Sequence, residues 1–151
     1  MSALQIVLVF VGILVSQVAL WGTVFLWLRR RNDRMLADLR AEITAAGDRL
    51  VVGPEPGVYR GGTQSRSQMK GNAVLVLTDR RIICRKLIGE PIEIMVSEIV
   101  GVREDKWFMS SYSGGHLHVI LDLSDGSEVG FFVRDHAGWM QAIRAAHVQL
   151  V

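Results

Sequence analysis

The chain begins with a long apolar segment, which constrains its fold more than any other feature. Residues 4–28, LQIVLVFVGILVSQVALWGTVFLWL, hold 25 positions without a charged side chain. As an α-helix rising about 1.5 Å per residue the segment would be ~37 Å long, whereas the hydrocarbon core of a bilayer is ~30 Å thick. Residues 1–28 are therefore predicted to form one transmembrane helix, and the chain is expected to be a single-pass membrane protein.

Positive charge flanks this segment on one side only. No Lys or Arg precedes it, and four arginines follow it at once, Arg29, Arg30, Arg31 and Arg34. Since positive flanks stay on the cytoplasmic side, we expect a plasma (inner) membrane protein with its N-terminus outside and its C-terminal domain in the cytoplasm. A cleaved signal peptide fits poorly, because its basic residues precede an apolar core of roughly 7–15 residues.

The apolar segment carries small and polar residues close together. Gly12 and Ser16 lie one helical turn apart, and the amide of Gln17 prefers a hydrogen-bonding partner to lipid. This arrangement predicts association of the span either with a second copy, giving a homo-oligomer, or with the helix of another protein.

Residues 29–49 are predicted to be a juxtamembrane helix and linker. Apolar residues recur there at helical spacing, and Gly47 is a natural stop, so the helix should continue to about Ala46. Its apolar stripe either forms a short coiled-coil seam or packs on the neighbouring domain or on lipid headgroups. The Gly and Pro residues at positions 53–57 are interpreted as the break before a single small domain, assigned to residues 50–151.

The pattern then changes to short strands. The predicted strands are residues 58–63, 73–78, 81–86, 91–96, 99–103, 116–123 and 127–133. Asp125-Gly126 is a favoured two-residue turn between the last two strands. Asp135 is expected to cap a final helix whose apolar stripe includes Trp139 and Ile143.

Two segments resemble motifs of a known superfold. Residues 71–83, GNAVLVLTDRRII, resemble the G-x-L-x-L-T-x-x-R-L stretch of GRAM and bacterial PH-like (pleckstrin-homology-like) domains. Residues 92–102 resemble the I-P-L-x-x-I-x-x-V segment of the same family. The resemblance implies an α+β chain in which the N-terminal transmembrane helix precedes a PH-like seven-stranded antiparallel barrel or sandwich, capped by a C-terminal helix. It also implies a binding role without chemistry of its own.

Charge is distributed unevenly within this domain. Residues 57–86 carry seven basic side chains against Asp79 alone, whereas residues 87–151 carry four basic and nine acidic ones. In PH domains that bind phosphoinositides, Lys and Arg of the first two strands and their loop surround the headgroup. The resemblance therefore suggests five lipid- or ligand-binding residues, Arg60, Arg66, Lys70, Arg80 and Arg85, although the Lys-x-n-(Lys/Arg)-x-Arg spacing is absent.

No catalytic residue, metal site or cofactor is predicted. His116 and His118 stand two apart on a predicted strand, so they should share an exposed face, but a third metal ligand is missing at readable spacing. Cys84 alternates with Ile82 and should be a buried, unreactive thiol in a chain that has no second cysteine. No nucleophile elbow or phosphate loop surrounds the serines at positions 110–113.

We therefore expect a non-enzymatic, membrane-anchored module that mediates protein interaction at the cytoplasmic face, such as an accessory subunit of an envelope or transport complex. The alternative is a peripheral sensor of anionic phospholipid that uses the basic residues. Trp107 and Phe108, in a predicted loop, would either insert into lipid or cap the open end of the barrel. A nucleic-acid partner is not expected, because no recognition helix is present.

Overall fold

The computed structural model describes residues 2–148, which form two helices and nine strands. The elements in chain order are α1 (Ala3–Ala46), β1 (Leu50–Gly62), β2 (Gly71–Thr78), β3 (Arg81–Lys86), β4 (Ile92–Met95), a 3₁₀ turn (Val96–Glu98), β5 (Ile99–Asp105), β6 (Trp107–Phe108), β7 (Ser111–Tyr112), β8 (His118–Leu123), β9 (Glu128–Val133) and α2 (His136–Val148). The chain divides into two compact units, Met1–Asp38 and Leu39–Val151.

The first unit is the greater part of α1. The apolar side chains from Leu4 to Leu28 are exposed along it. By length and composition, α1 is the one helix among the described residues that is long and apolar enough to cross a membrane. The prediction that this helix continues to Ala46 is confirmed.

The second unit is built on one curled antiparallel sheet. Its strand order is β4-β3-β2-β1-β9-β8-β5, while β6 and β7 form a separate short hairpin between β5 and β8. Helix α2 packs against the inner face of the sheet. The predicted fold class, a long N-terminal helix followed by a seven-stranded antiparallel sheet and a C-terminal helix, is confirmed.

Alternating side chains of the sheet form the core with α2. The clearest case is the β8–β9 hairpin, where the inward residues of both strands are buried. The N–H of Leu123 donates to the carbonyl of Ser127 at 2.9 Å, so the turn holds three residues, with Gly126 at a positive φ of 82°, and not the predicted two. Trp139 of α2 is fully buried, with its ring 5.5 Å edge-on from that of Phe131. The predicted cap is present, since the N–H of Gly138 donates to Oδ1 of Asp135 at 3.0 Å.

The Gly and Pro residues at positions 53–57 do not interrupt the sheet, contrary to the prediction. Strand β1 starts at Leu50, and Glu55, Pro56 and Gly57 pair with residues of β2. Before Gly57, β1 pairs with β2 alone, and its register shifts twice between Leu50 and Glu55. Proline is tolerated at bulges and at strand edges, where its missing N–H has no neighbour to bond.

The end of α1 belongs with the sheet. Leu39 and Ile43 of α1 are buried. Val76 of β2 and Ile83 of β3 are paired and also buried, but they do not belong to the core beneath α2. Because side chains alternate along a strand, Val76 and Ile83 lie on the outer face, and the helix end accounts for their burial. For Leu39 and Ile43, the buried part of the apolar stripe in the second unit, packing on the domain is the alternative observed.

Candidate functional site

The five residues suggested as a binding cluster lie in three different polar contacts. The first is on the outer face of β3, where Arg85 forms an ion pair with Glu42 of α1. Its neighbour Arg81 hydrogen-bonds to Asp48 and Glu93 at 2.8 and 2.9 Å. Arg80 is 63 % exposed and lies 3.9 Å from Asp48. The three arginines on this face are therefore paired with the carboxylates of Glu42, Asp48 and Glu93.

The second contact holds the loop between β1 and β2. Arg66 lies 3.4 Å from a carboxylate oxygen of Glu98 and 3.3 Å from one of Asp125, and its Nε bonds to Ser127 at 3.3 Å. Hydrogen bonds from Ser127, followed by the charge of Arg66, lower the pKa of the Asp125 carboxyl. Arg66 therefore ties this loop to the β8–β9 turn and to the 3₁₀ turn.

The third contact supports the β6–β7 hairpin. Nζ of Lys70 donates at 2.7 Å both to the carbonyl of Met109 and to the hydroxyl of Ser111. Arg60 hydrogen-bonds to Ser113, just beyond the hairpin. Both cations therefore hold the hairpin over the outer face of the sheet.

Lys86, whose environment the sequence did not indicate, is buried beside Tyr59. Its Nζ lies 5.4 Å from the centre of the Tyr59 ring and 3.3 Å from the hydroxyl of Ser67. The Tyr59 hydroxyl donates to the carbonyl of Ser67 at 2.8 Å, and burial raises the pKa of Tyr59 to about 12. All seven basic residues of the segment 57–86 thus have polar or aromatic partners within the second unit. Lys70 and Arg80 remain exposed, whereas an anionic ligand would have to replace the partners of the other five.

Trp107 and Phe108, the two aromatic residues predicted to lie in a loop, point to opposite sides of the β6–β7 hairpin. Phe108 is buried, with its ring over Gly130, so it covers the outer face of the sheet and is not available at the surface for insertion. Trp107 is 60 % exposed and stacks on Tyr112 with 4.7 Å between ring centres. Sequence alternation alone did not distinguish these neighbours, because the hairpin is only two residues long on each side.

The histidine pair is not an exposed metal site. Strand β8 begins at His118, which is fully buried, whereas His116 lies before the strand and is exposed, so the predicted exposure of both is wrong. Both rings nevertheless lie on one face, edge-on to Phe132 at 5.8 and 6.4 Å between ring centres. The Nδ1 atom of His118 lies 3.2 Å from the carbonyl of Asp105, and Nε2 lies 3.3 Å from the hydroxyl of Ser113. The part of the chain that is described holds no group of three or more metal-ligating side chains.

Cys84 is buried as predicted, and burial raises the pKa of its thiol to about 12. A thiol with so high a pKa carries almost no thiolate at neutral pH, and the thiolate is the nucleophilic form. The residue therefore acts as a small core side chain.

In the first unit, the face of α1 that carries Gly12, Ser16 and Gln17 forms a shallow apolar groove with Val9 and Leu20. The hydroxyl of Ser16 donates to the carbonyl of Gly12 at 2.8 Å, within the helix. The predicted association through this face stays a prediction.

A cleft between β5 and α2 was not indicated by the sequence. Its cavity has a volume of about 180 Å³, and its walls come from Ile99, Gly101 and Val102 of β5 and from Ile143, Arg144 and His147 of α2. Strand β5 ends the sheet, so one of its edges has no neighbouring strand among residues 2–148. The cleft thus combines an apolar cavity, a free strand edge and a cationic rim. Its only sequence signal is the uncharged run from Ile99 to Val102 beside the predicted helix.

Comparison with solved structures identifies the fold in other proteins. The C-terminal domain of an unknown protein from Leishmania infantum matches with a TM-score of 0.53 and 9% sequence identity, over 76% of this chain and 98% of that chain. The Vps36 N-terminal PH domain matches with a TM-score of 0.48 and 18% identity, over 70% of this chain and 83% of that chain. No protein-family model and no curated protein matches the sequence. At these identities the likeness concerns the fold alone.

Proposed function

We propose that this chain is a non-enzymatic, PH-like binding module, anchored in the plasma membrane by residues 4–28, that binds a protein partner through its cytoplasmic C-terminal unit. An accessory subunit of an envelope or transport complex fits this description. One observation carries the choice of a protein over a lipid headgroup: the cations of segment 57–86 are engaged inside the unit, whereas the edge of β5 and the adjoining cavity have no partner among the described residues.

The energetics favour the same choice. An anionic headgroup gains ~1 kcal/mol per basic residue near the surface. Exposed ion pairs such as those of Arg66 with Glu98 and Asp125 contribute a similar ~0–1 kcal/mol. Recruiting Arg66 or Lys70 to a lipid therefore brings little net gain, because each must leave its present acceptors.

The test uses the full chain, purified from native membranes in mild detergent and, separately, reconstituted into vesicles. We expect one protein to co-purify in stoichiometric amount. We also expect hydrogen exchange of the segments 57–70 and 80–86 to be the same in phosphatidylcholine and phosphatidylglycerol vesicles. Protection that appears only with phosphatidylglycerol at low salt and fades at physiological salt, without a stoichiometric protein, would instead establish the lipid sensor.

A further inference from the structure

We propose that the cleft between β5 and α2 binds an extended, acidic peptide segment of a partner protein, which adds to the free edge of β5 as a further strand. This inference rests on the proposed function and specifies the class of partner. Strand addition satisfies the backbone groups of an exposed edge, and pockets beside the edge select alternate side chains of the peptide.

The two edges of the sheet differ in how they are protected. At one edge, β4 is four residues long, follows Pro91, and places Glu93 on its exposed side in an ion pair with Arg81. Short strands, proline and charge are the features that keep an edge from pairing with another chain. At the other edge, β5 is seven residues long, so it offers the longer template.

The charged side chains that discourage pairing of β5 with another chain are confined to its second half. Arg103 is hydrogen-bonded to Glu128 at 2.5 Å, and Glu104 lies 3.6 Å from His136. The first half, from Ile99 to Val102, has no charge, and Val100 is 60 % exposed. A register shift between Ile99 and Gly101 adds local twist at this half. The uncharged half is also the half that lines the cavity.

The cavity has the size and walls of a site for one aliphatic side chain. Its volume is about 180 Å³, and Ile99, Val102 and Ile143 supply apolar walls. Cavities of about 150 Å³ with aliphatic walls accept a guest as large as benzene. Gly101 contributes only backbone to the wall, since a Cβ there would point towards Asp122 of β8, so the three apolar side chains decide which side chain of the added strand fits.

The rim of the cleft selects an acidic segment. Arg144 is exposed and has no ion-pair partner among residues 2–148, and Nδ1 of His147 is buried there without a hydrogen-bond partner. Residues of one strand face share a spacing of two. A segment with an aliphatic residue and a carboxylate two positions away therefore places the first in the cavity while the second approaches Arg144.

The probe is a phage-displayed library of random nine-residue peptides, selected on the detergent-solubilised full chain. We expect the selected peptides to share an aliphatic residue with Asp or Glu two positions away. Binding of the synthesised peptides, followed by fluorescence polarisation, should weaken about tenfold or more when the aliphatic residue is changed to Ala. A comparable loss is expected when amides on one alternating set are N-methylated, because strand pairing uses every second amide.

Arg144→Glu should weaken peptide binding about tenfold or more, whereas the matched control Arg134→Glu, at an exposed position outside the cleft, should leave it unchanged. Selection of no peptide, or peptides indifferent to N-methylation and to Arg144→Glu, would overturn the inference. If the full chain still co-purifies with a stoichiometric protein that Arg144→Glu does not release, the proposed function stands and the β5–α2 cleft is not its site.

Discussion

Arg81 donates a hydrogen bond from Nε to Oδ2 of Asp48 at 2.8 Å, and the carboxylate that receives it is only 3 % exposed. This bond raises the pKa of the Arg81 guanidinium, with burial opposing it and Glu93 adding to it. Asp48 follows α1 and Arg81 begins β3, so the pair joins the end of the N-terminal helix to the sheet. The contact is therefore structural, and the Arg81 guanidinium is not free to bind a ligand.

Removing Arg81 should be costly. We expect Arg81→Ala to lower the free energy of unfolding by about 2–3 kcal/mol, because it leaves the Asp48 carboxylate buried without its donor. The measurement is chemical denaturation of the full chain in mild detergent. Arg80→Ala is the matched control, since Arg80 is mostly exposed and should contribute under about 1 kcal/mol. Equal effects of the two changes would contradict the assigned role of Arg81.

Trp139 should anchor α2 on the sheet. We expect Trp139→Ala to cost about 3–5 kcal/mol, because the ring is fully buried against Phe131. Trp139→Phe should cost clearly less, since Nε1 of Trp139 has no hydrogen-bond partner within residues 2–148 and the aromatic contact is retained. A denaturation midpoint that Trp139→Ala leaves unchanged would contradict this packing.

The contact between Phe108 and Gly130 should hold the β6–β7 hairpin in place. A Cβ at Gly130 would overlap the Phe108 ring, so Gly130→Val is expected to cost about 1–3 kcal/mol and to expose residues 107–112 to protease. Gly71→Ala is the control, because a Cβ there meets nothing within 4 Å. Gly130→Val with wild-type stability and protease resistance would show that the hairpin does not depend on this contact.

The buried His118 should make stability depend on pH. Burial lowers the pKa of its imidazole below 6.5, the charge of Arg60 adds to this, and the carbonyl of Asp105 opposes it. Below pH 6.5 the unfolded chain therefore binds this proton more readily than the folded chain, so stability falls as pH decreases from 6.5 towards the folded pKa. Denaturation midpoints at pH 7.5 and 5.5 measure the loss.

The loss of stability between pH 7.5 and 5.5 should be smaller in His118→Gln. It should persist in His116→Gln, because His116 is exposed outside the strand. If both variants keep the wild-type difference between the two pH values, the titrating group lies elsewhere.

The four arginines after the apolar segment should set the topology. A reporter fused after Val151 is expected to be active as a cytoplasmic fusion, and neutral replacements of Arg29, Arg30, Arg31 and Arg34 should give mixed orientation. Alkaline phosphatase and fluorescent-protein fusions give opposite signals on the two sides of the membrane. Phosphatase activity in the wild-type fusion would reverse the proposed orientation.

Features that depend on short stretches of chain were predictable from the sequence. The long helix to Ala46, the turn at Gly126, the cap at Asp135 and the stripe that includes Trp139 follow from local periodicity and turn chemistry. The burial of Cys84 likewise follows from alternation with Ile82. Such signals succeed because the interacting residues lie within one turn or one strand of each other.

The tertiary structure decided what the charged and polar residues do. Arg85 meets Glu42, and Lys70 meets Ser111, across 43 and 41 positions of the chain, so composition reveals a basic segment but not its partners. His118 is buried where the chain folds back around the β6–β7 hairpin and brings Asp105 and Ser113 against it. Pro56 pairs with Val74 of β2 because that part of β1 has one neighbouring strand. The β5–α2 cleft exists only because sheet curvature and helix docking bring Val102 and Ile143 together. Local sequence determines which elements form, whereas the pairing of residues far apart along the chain determines which surfaces stay open.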